Sequence, residues 1–174
     1  MPRRLALPLT LIVALLMTSG CLAPTSWSVV DEGVLLRSGQ PNLEDLQTIR
    51  AETGLRTIVR LRTLHVDDQQ TRTFARNNGI NLVDIPIDRG DTPSPDDVQR
   101  FLQLFNDPAN LPVLVHCAHG TERTGVMVAL YRIYHERWSP EQAFREMKSN
   151  GFDALMNPKM KQYVRALPEP SAEQ

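Results

Sequence analysis

Residues 112–125 read PVLVHCAHGTERTG, and the reading of this stretch decides the fold. Val113, Leu114 and Val115 form a short apolar run after Pro112, the pattern of a strand buried on both faces. From Arg123 onward, RTGVMVALYRIYHERW reads as a helix. Only AHGTE separates the two, so the chain must wrap tightly, and Gly120 permits backbone angles that other residues resist. In α/β sheets, ligands collect where loops leave the carboxyl ends of strands. Cys117 is expected at that place, as the residue that ends a central strand.

A tight loop that closes on a helix N-terminus points several backbone N–H groups at one spot, which makes an anion site. Arg123 follows Cys117 by six positions, where a guanidinium can clamp two oxygens of a phosphate. The same dipoles and charge favour a thiolate, so the Cys117 thiol is expected to ionise more readily than a free one. Thr124 is placed to donate a hydrogen bond to the sulfur. The competing reading of Cys117 is a small core thiol, which leaves His116, Gly120, Arg123, Thr124 and Gly125 without a reason.

The Cys-x5-Arg pattern, within HC-x2-G-x2-RTG, resembles the active-site loop of the cysteine-dependent protein tyrosine phosphatase superfamily. The short chain resembles the dual-specificity branch in particular, including its atypical bacterial and plant–fungal members. The likeness runs over most of residues 34–150, through LLRSGQP, TIVRLR and IPIDRGDTPSPDDV. It implies a phosphomonoesterase in which Cys117 is the nucleophile and Arg123 binds phosphate and the transition state. Thr124 supports the thiolate, and Ala118, His119, Gly120, Thr121 and Glu122 form the phosphate-binding loop. No cofactor and no metal is implied, and the four histidines are scattered.

The reaction also needs a group that protonates the leaving oxygen and later activates water. In the family this is an Asp on a loop before the nucleophile strand. VDIPIDRGDTPSPDD holds Asp84, Asp88, Asp91, Asp96 and Asp97. Asp84 lies within a strand pattern, and Asp96 and Asp97 fall in a helix first turn, where acids favour the macrodipole. Relatives that carry the acid directly after an isoleucine point to Asp88. One extra residue before Thr92-Pro93 makes Asp91 the second choice. Glu122 is a third candidate, set against a role as a surface carboxylate. His119 either assists phosphate binding or faces solvent, and His116 is expected to orient the loop through a backbone hydrogen bond.

The rest of the chain alternates strand and helix patterns. WSVV and VLLRS flank a hairpin-like turn at DEG; NLEDLQTIRAETG is a helix capped by Asn42 and stopped by Gly54. RTIVRLR and NLVDIPI are strands separated by a helix, DDQQTRTFARNNG. Ser94 and Pro95 open a further helix, and Ser139 with Gln142 has the spacing of a capping box before the next. PKMKQYVRAL closes the series. Tyr131, Tyr134 and Trp138 recur at helical spacing and are expected in the core. This alternation implies a single three-layer α/β domain with a mostly parallel central sheet flanked by helices. Its bounds are expected at residues 27–168, with a polar tail over 169–174.

The N-terminus has a different character. Arg3 and Arg4 precede an apolar run from Leu5 to Met17, and TSGC follows. The run is short for a membrane span and suits an export signal. TSGC resembles a bacterial lipobox, although Thr18 stands where leucine is usual. Residues 1–20 are therefore expected to be a lipoprotein-type signal peptide, Cys21 the lipidated residue, and 21–26 a linker. By the same resemblance, Leu22 rather than Asp implies the outer membrane, so the expected location is the periplasmic side of a bacterial membrane, as an outer-membrane lipoprotein. Removing residues 1–20 takes away two arginines and no acid, which leaves 17 basic against 20 acidic residues. That balance shows no basic bias toward nucleic acid. Cys117 then remains as a lone thiol, which excludes a disulfide framework.

The expected partners are a phosphorylated substrate, either a protein or a small phosphomonoester, and a membrane reached through the lipid anchor. Inositide-specific relatives carry paired lysines in this loop; residues 118–122 carry none, so the resemblance disfavours a highly phosphorylated lipid. Two alternatives stand beside the phosphatase reading. One is a rhodanese-like sulfurtransferase, which also places a cysteine in a compact anion loop. The other is a non-catalytic phosphate-binding lipoprotein.

Overall fold

A computed structural model describes residues 27–62 and 68–170. The expected signal peptide, the linker with Cys21, and the tail from residue 171 lie outside the described residues. In chain order the elements are β1 (Trp27–Asp31), β2 (Leu35–Ser38), α1 (Leu43–Thr53), β3 (Thr57–Arg60), α2 (Gln69–Asn77), β4 (Asn81–Asp84), α3 (Pro95–Gln103), β5 (Val113–His116), α4 (Glu122–Tyr134), α5 (Pro140–Ser149) and α6 (Pro158–Arg165). Two short 3-10 turns lie between α3 and β5.

The helix ends follow local chemistry. Asn42 and Asp45 form a reciprocal capping box at 2.9 and 3.0 Å, and α1 stops at Gly54 with φ 73°. Ser94 caps α3 ahead of Pro95, and Ser139 and Gln142 cap α5 reciprocally at 2.8 and 3.2 Å. These contacts span three residues, which is why the sequence displays them.

The described strands form one sheet in the order β1-β2-β5-β3-β4. β1 and β2 make the antiparallel hairpin, and the pairs β2–β5, β5–β3 and β3–β4 are parallel. β5 is therefore the middle strand, buried at all four positions. Alternate side chains serve opposite layers. Leu36, Ile58 and Leu114 pack with Leu46, Ile49 and Phe74 beneath α1 and α2. Leu35, Val59, Val113 and Val115 pack with Phe101, Val126 and Leu130 beneath the other helices, and Cys117 belongs to this second cluster. The three-layer, mostly parallel α/β expectation is met.

Four local readings are corrected. RTIVRLR pairs only as far as Arg60, and NLVDIPI only as far as Asp84. Beyond those points single hydrogen bonds continue, from Leu61 N to His116 O at 2.9 Å and from Ile87 N to Leu61 O at 3.3 Å. The chain thus peels away from the sheet edge over the end of β5. The helix expected to reach Trp138 ends at Tyr134, because Arg137 takes a positive φ of 60° and the Trp138 N–H turns back to the Arg132 carbonyl. Tyr131 is in the core as expected, but Tyr134 is 40% exposed. Trp138 is half-buried, with its ring 4.6 Å from the Arg132 guanidinium carbon.

Candidate active site

β5 delivers Cys117 to the carboxyl edge of the sheet, and α4 begins five residues later. Between them Gly120 adopts φ 77°, and its N–H donates to Cys117 Sγ at 3.2 Å. A side chain would not fit at Gly120. A Cβ there would lie 2.7 Å from the backbone of Ser38 and Gly39. The segment after β2 therefore buttresses the loop from behind. Gln40 N–H donates to the Ala118 carbonyl at 3.1 Å, and Arg37 Nη2 donates to the Gly120 carbonyl at 2.6 Å.

Cys117 is fully buried. Burial opposes its ionisation, but the Thr124 hydroxyl and the N–H groups of Thr124, Gly120 and His119 outweigh it and hold the thiol below its ordinary pKa. The Thr124 hydroxyl is itself buried and makes no well-aligned hydrogen bond among the described residues, so its dipole is left to the sulfur.

Arg123, in the first turn of α4, donates through Nη1 to the carbonyls of Ile87 at 3.2 Å and Leu61 at 3.3 Å. Its guanidinium is thereby aimed along the wall of a cleft of about 630 Å³. Ala118, His119, Glu122 and Arg123 line this cleft, whereas Gly120 and Thr121 shape the loop without lining it. Arg89, Gly90, Asp153, Met156, Asn157 and Met160 complete its lining.

Of the three candidate acids, Asp88 and Asp91 do not line the cleft, whereas Glu122 does. Asp88 and Asp91 form a turn closed by Asp91 N–H to the Asp88 carbonyl at 3.0 Å. Asp91 bonds Lys159 Nζ at 2.5 Å and the Thr92 N–H at 2.7 Å. The Lys159 hydrogen bond, the Thr92 N–H and the Lys159 charge hold its carboxyl below the usual range. Asp88 is exposed, and its side chain has no partner among the described residues. Asp84 is occupied elsewhere: it takes Arg60 at 2.5–2.7 Å, and Asp96 and Asp97 are in the first turn of α3.

His116 is fully buried on the α1–α2 face, with Nδ1 3.5 Å from the Cys117 carbonyl and Nε2 without a partner among the described residues. Burial pushes its pKa down to about 4, against the pull of the Cys117 carbonyl and Asp68.

This geometry has known counterparts. Residues 23–165 match the family model described as DSP-PTPase phosphatase fused to NAD+ kinase. The chain belongs to this family of dual-specificity-type phosphatases. An inositol diphosphatase of Arabidopsis thaliana, DSP4, is 35% identical over 130 residues, covering 71% of this chain and 62% of that protein. The dual specificity protein phosphatase TpbA of Pseudomonas aeruginosa is 32% identical over 120 residues, covering 68% of this chain and 51% of that one. The chain thus spans between half and two-thirds of the length of these relatives. The crystal structure of P. aeruginosa TpbA superposes with a TM-score of 0.66 at 26% identity, over 84% of this chain and 92% of that one. The phosphatase fold expected from the loop motif is the fold of the family.

Sequence reasoning missed several residues that shape the site. Arg37 stands in LLRSGQP, quoted for its likeness and its strand pattern, and nothing local marks its side chain as reaching Gly120. Arg89, Met156 and Asn157 come to the rim from loops that carry no periodic pattern. The DRGD run held the only available hint, a cation between two candidate acids.

Proposed function

We propose that this protein is a cysteine-dependent phosphatase of the dual-specificity type, acting on phosphomonoesters. The observation that carries the reading is the Gly120 N–H 3.2 Å from a fully buried Cys117 sulfur, at the mouth of a helix whose first turn presents Arg123. Such a loop favours a thiolate and a phosphoryl dianion by the same set of dipoles.

In the first step the Cys117 thiolate attacks phosphorus in line, the P–O bond breaks, and Asp88 gives its proton to the departing oxygen. In the second step a water attacks the cysteinyl-phosphate and loses its proton to Asp88. The P–S bond then breaks, which returns phosphate and thiolate. Arg123 and the loop amides carry the charge of the equatorial oxygens in both steps. Support for Asp88 over Asp91 comes from its place directly after Ile87, whose carbonyl Arg123 holds, and from the prior engagement of Asp91 with Lys159.

The substrate is a phosphorylated protein or a small phosphomonoester, and the names of the relatives supply both a protein phosphatase and an inositol diphosphatase for comparison. The protein is exported and anchored to a bacterial membrane through an acylated Cys21. The paired arginines, the apolar run 5–17 and TSGC support this. Palmitate labelling that persists in Cys21→Ser would overturn the anchor.

The experiment for the activity is hydrolysis of an aryl phosphate, a phosphotyrosine peptide and an inositol diphosphate in the presence of chelator, with Cys117→Ser beside the parent. Loss of turnover in Cys117→Ser supports the mechanism. Sulfur transfer from thiosulfate to cyanide without phosphate release would replace it with the sulfurtransferase reading.

A further inference from the structure

Arg37 lies on β2, directly beside Val115 of β5, so its side chain emerges on the same face of the sheet as Cys117. It is 6% exposed. Its Nη2 donates to the Gly120 carbonyl at 2.6 Å, across 83 residues of chain. Arginines buried in proteins are ordinarily paired with carboxylates. Arg60 has Asp84 and Asp68, and Arg132 has Glu136 and Glu146. Arg37 has no ion-pair partner among the described residues.

Charge from three elements acts on it: Glu146 of α5, Cys117 of the loop after β5, and Arg132 of α4. Burial lowers the Arg37 pKa; Glu146 and Cys117 act against that, and Arg132 adds to it. Glu146 is already committed, since Arg132 holds both of its oxygens at 2.8–3.2 Å. The anion left for Arg37 is the thiolate.

We propose that Arg37 is a positioning residue for the nucleophile: it fixes the loop through the Gly120 carbonyl, and its unpaired charge is the counter-ion of the Cys117 thiolate from behind. Arg123 lines the cleft on the other side, where Glu122 and His119 are its neighbours. The two cations divide the work. Arg123 is free to meet the phosphoryl oxygens, while Arg37 keeps the sulfur ionised before and after the phosphoryl group has come and gone. The proposal rests on the reading of Cys117 as the nucleophile, but not on the identity of the substrate.

The test is the pH dependence of alkylation by iodoacetamide, followed on the Cys117 peptide by mass spectrometry so that Cys21 does not contribute. It reads the thiolate without any turnover. Arg37→Gln keeps a donor for the Gly120 carbonyl and removes the charge; Arg37→Lys keeps the charge. The expected result is a rise of about one unit in the Cys117 pKa in Arg37→Gln, with most of the parent value retained in Arg37→Lys. Equal profiles for folded Arg37→Gln and the parent overturn the proposal, as does a larger shift in Arg37→Lys than in Arg37→Gln. Should Arg37→Gln fail to fold, Arg37→Lys is read alone: it keeps the charge, so a Cys117 pKa close to the parent's is expected, and a rise of about one unit overturns the proposal.

Discussion

Arg123 and Ile87 are joined by a hydrogen bond of 3.2 Å, from the guanidinium Nη1 to the main-chain carbonyl. The bond ties the segment that peels off β4 to the first turn of the helix behind the nucleophile. It makes Arg123, the proposed phosphate ligand, also the anchor of the loop that carries Asp88 and Asp91.

Arg123→Lys should therefore fail on two counts. An ammonium is a point charge without the planar fork, and it does not hold Ile87 and Leu61 together. We expect the turnover of an aryl phosphate to fall by roughly 10²–10³-fold, as when one oxyanion donor is removed. Near-parental kcat in Arg123→Lys would mean that charge alone suffices.

Asp88→Ala and Asp91→Asn separate the two acids. A missing general acid is felt most when the leaving group is a poor one, because a good one departs without a proton. Asp88→Ala should slow phenyl phosphate by about 10²-fold or more and a nitrophenyl ester much less. Asp91→Asn should show no such dependence on the leaving group, since Asp91 is held by Lys159. The reverse pattern would assign the acid to Asp91.

Gly120→Ala should displace the loop. Its φ of 77° disfavours any side chain, and the added Cβ would meet the backbone of Ser38 and Gly39 at 2.7 Å, where nothing flexible can give way. We expect a loss of about 1–3 kcal/mol in denaturant unfolding. Alkylation of Cys117 at neutral pH should slow as well. A variant of unchanged stability and thiol reactivity would show that the buttress is not tight.

His116 makes stability depend on pH. Its folded pKa of about 4 lies below the 6.5 of an exposed imidazole, so the unfolded chain takes up a proton first as pH falls. Its contribution is fully present above about pH 6.5 and is lost progressively toward pH 4, by up to about 3 kcal/mol. In urea titrations at several pH values, His116→Gln should flatten that slope. An equal slope in the variant would place the effect on other groups.

Much of the site was legible because its chemistry is local. The Cys117-to-Arg123 spacing, the glycine that turns the loop and the threonine behind the sulfur all fall within eight residues. The caps of α1, α3 and α5 operate over three residues, and each was readable for the same reason. The ends of β3, β4 and α4 were misjudged where a tertiary contact overrode a local pattern. Apolar Leu61, Ile85 and Ile87 look like strand, yet they are buried by the loops they enter. Tyr134 looks like core, yet the helix ends beneath it.

The nucleophile loop and the alternation of strands and helices follow from the order of amino acids alone. So does their consequence, a mostly parallel sheet with its site at the carboxyl edge. The surroundings of that loop do not follow from it. Arg37 reaches Gly120 across 83 residues, and Arg123 reaches Leu61 across 62 and Ile87 across 36. Parallel strands are joined by crossovers, so neighbours in the sheet are far apart along the chain. Contacts of that kind have no period and no fixed spacing, and they exist only once the sheet has assembled.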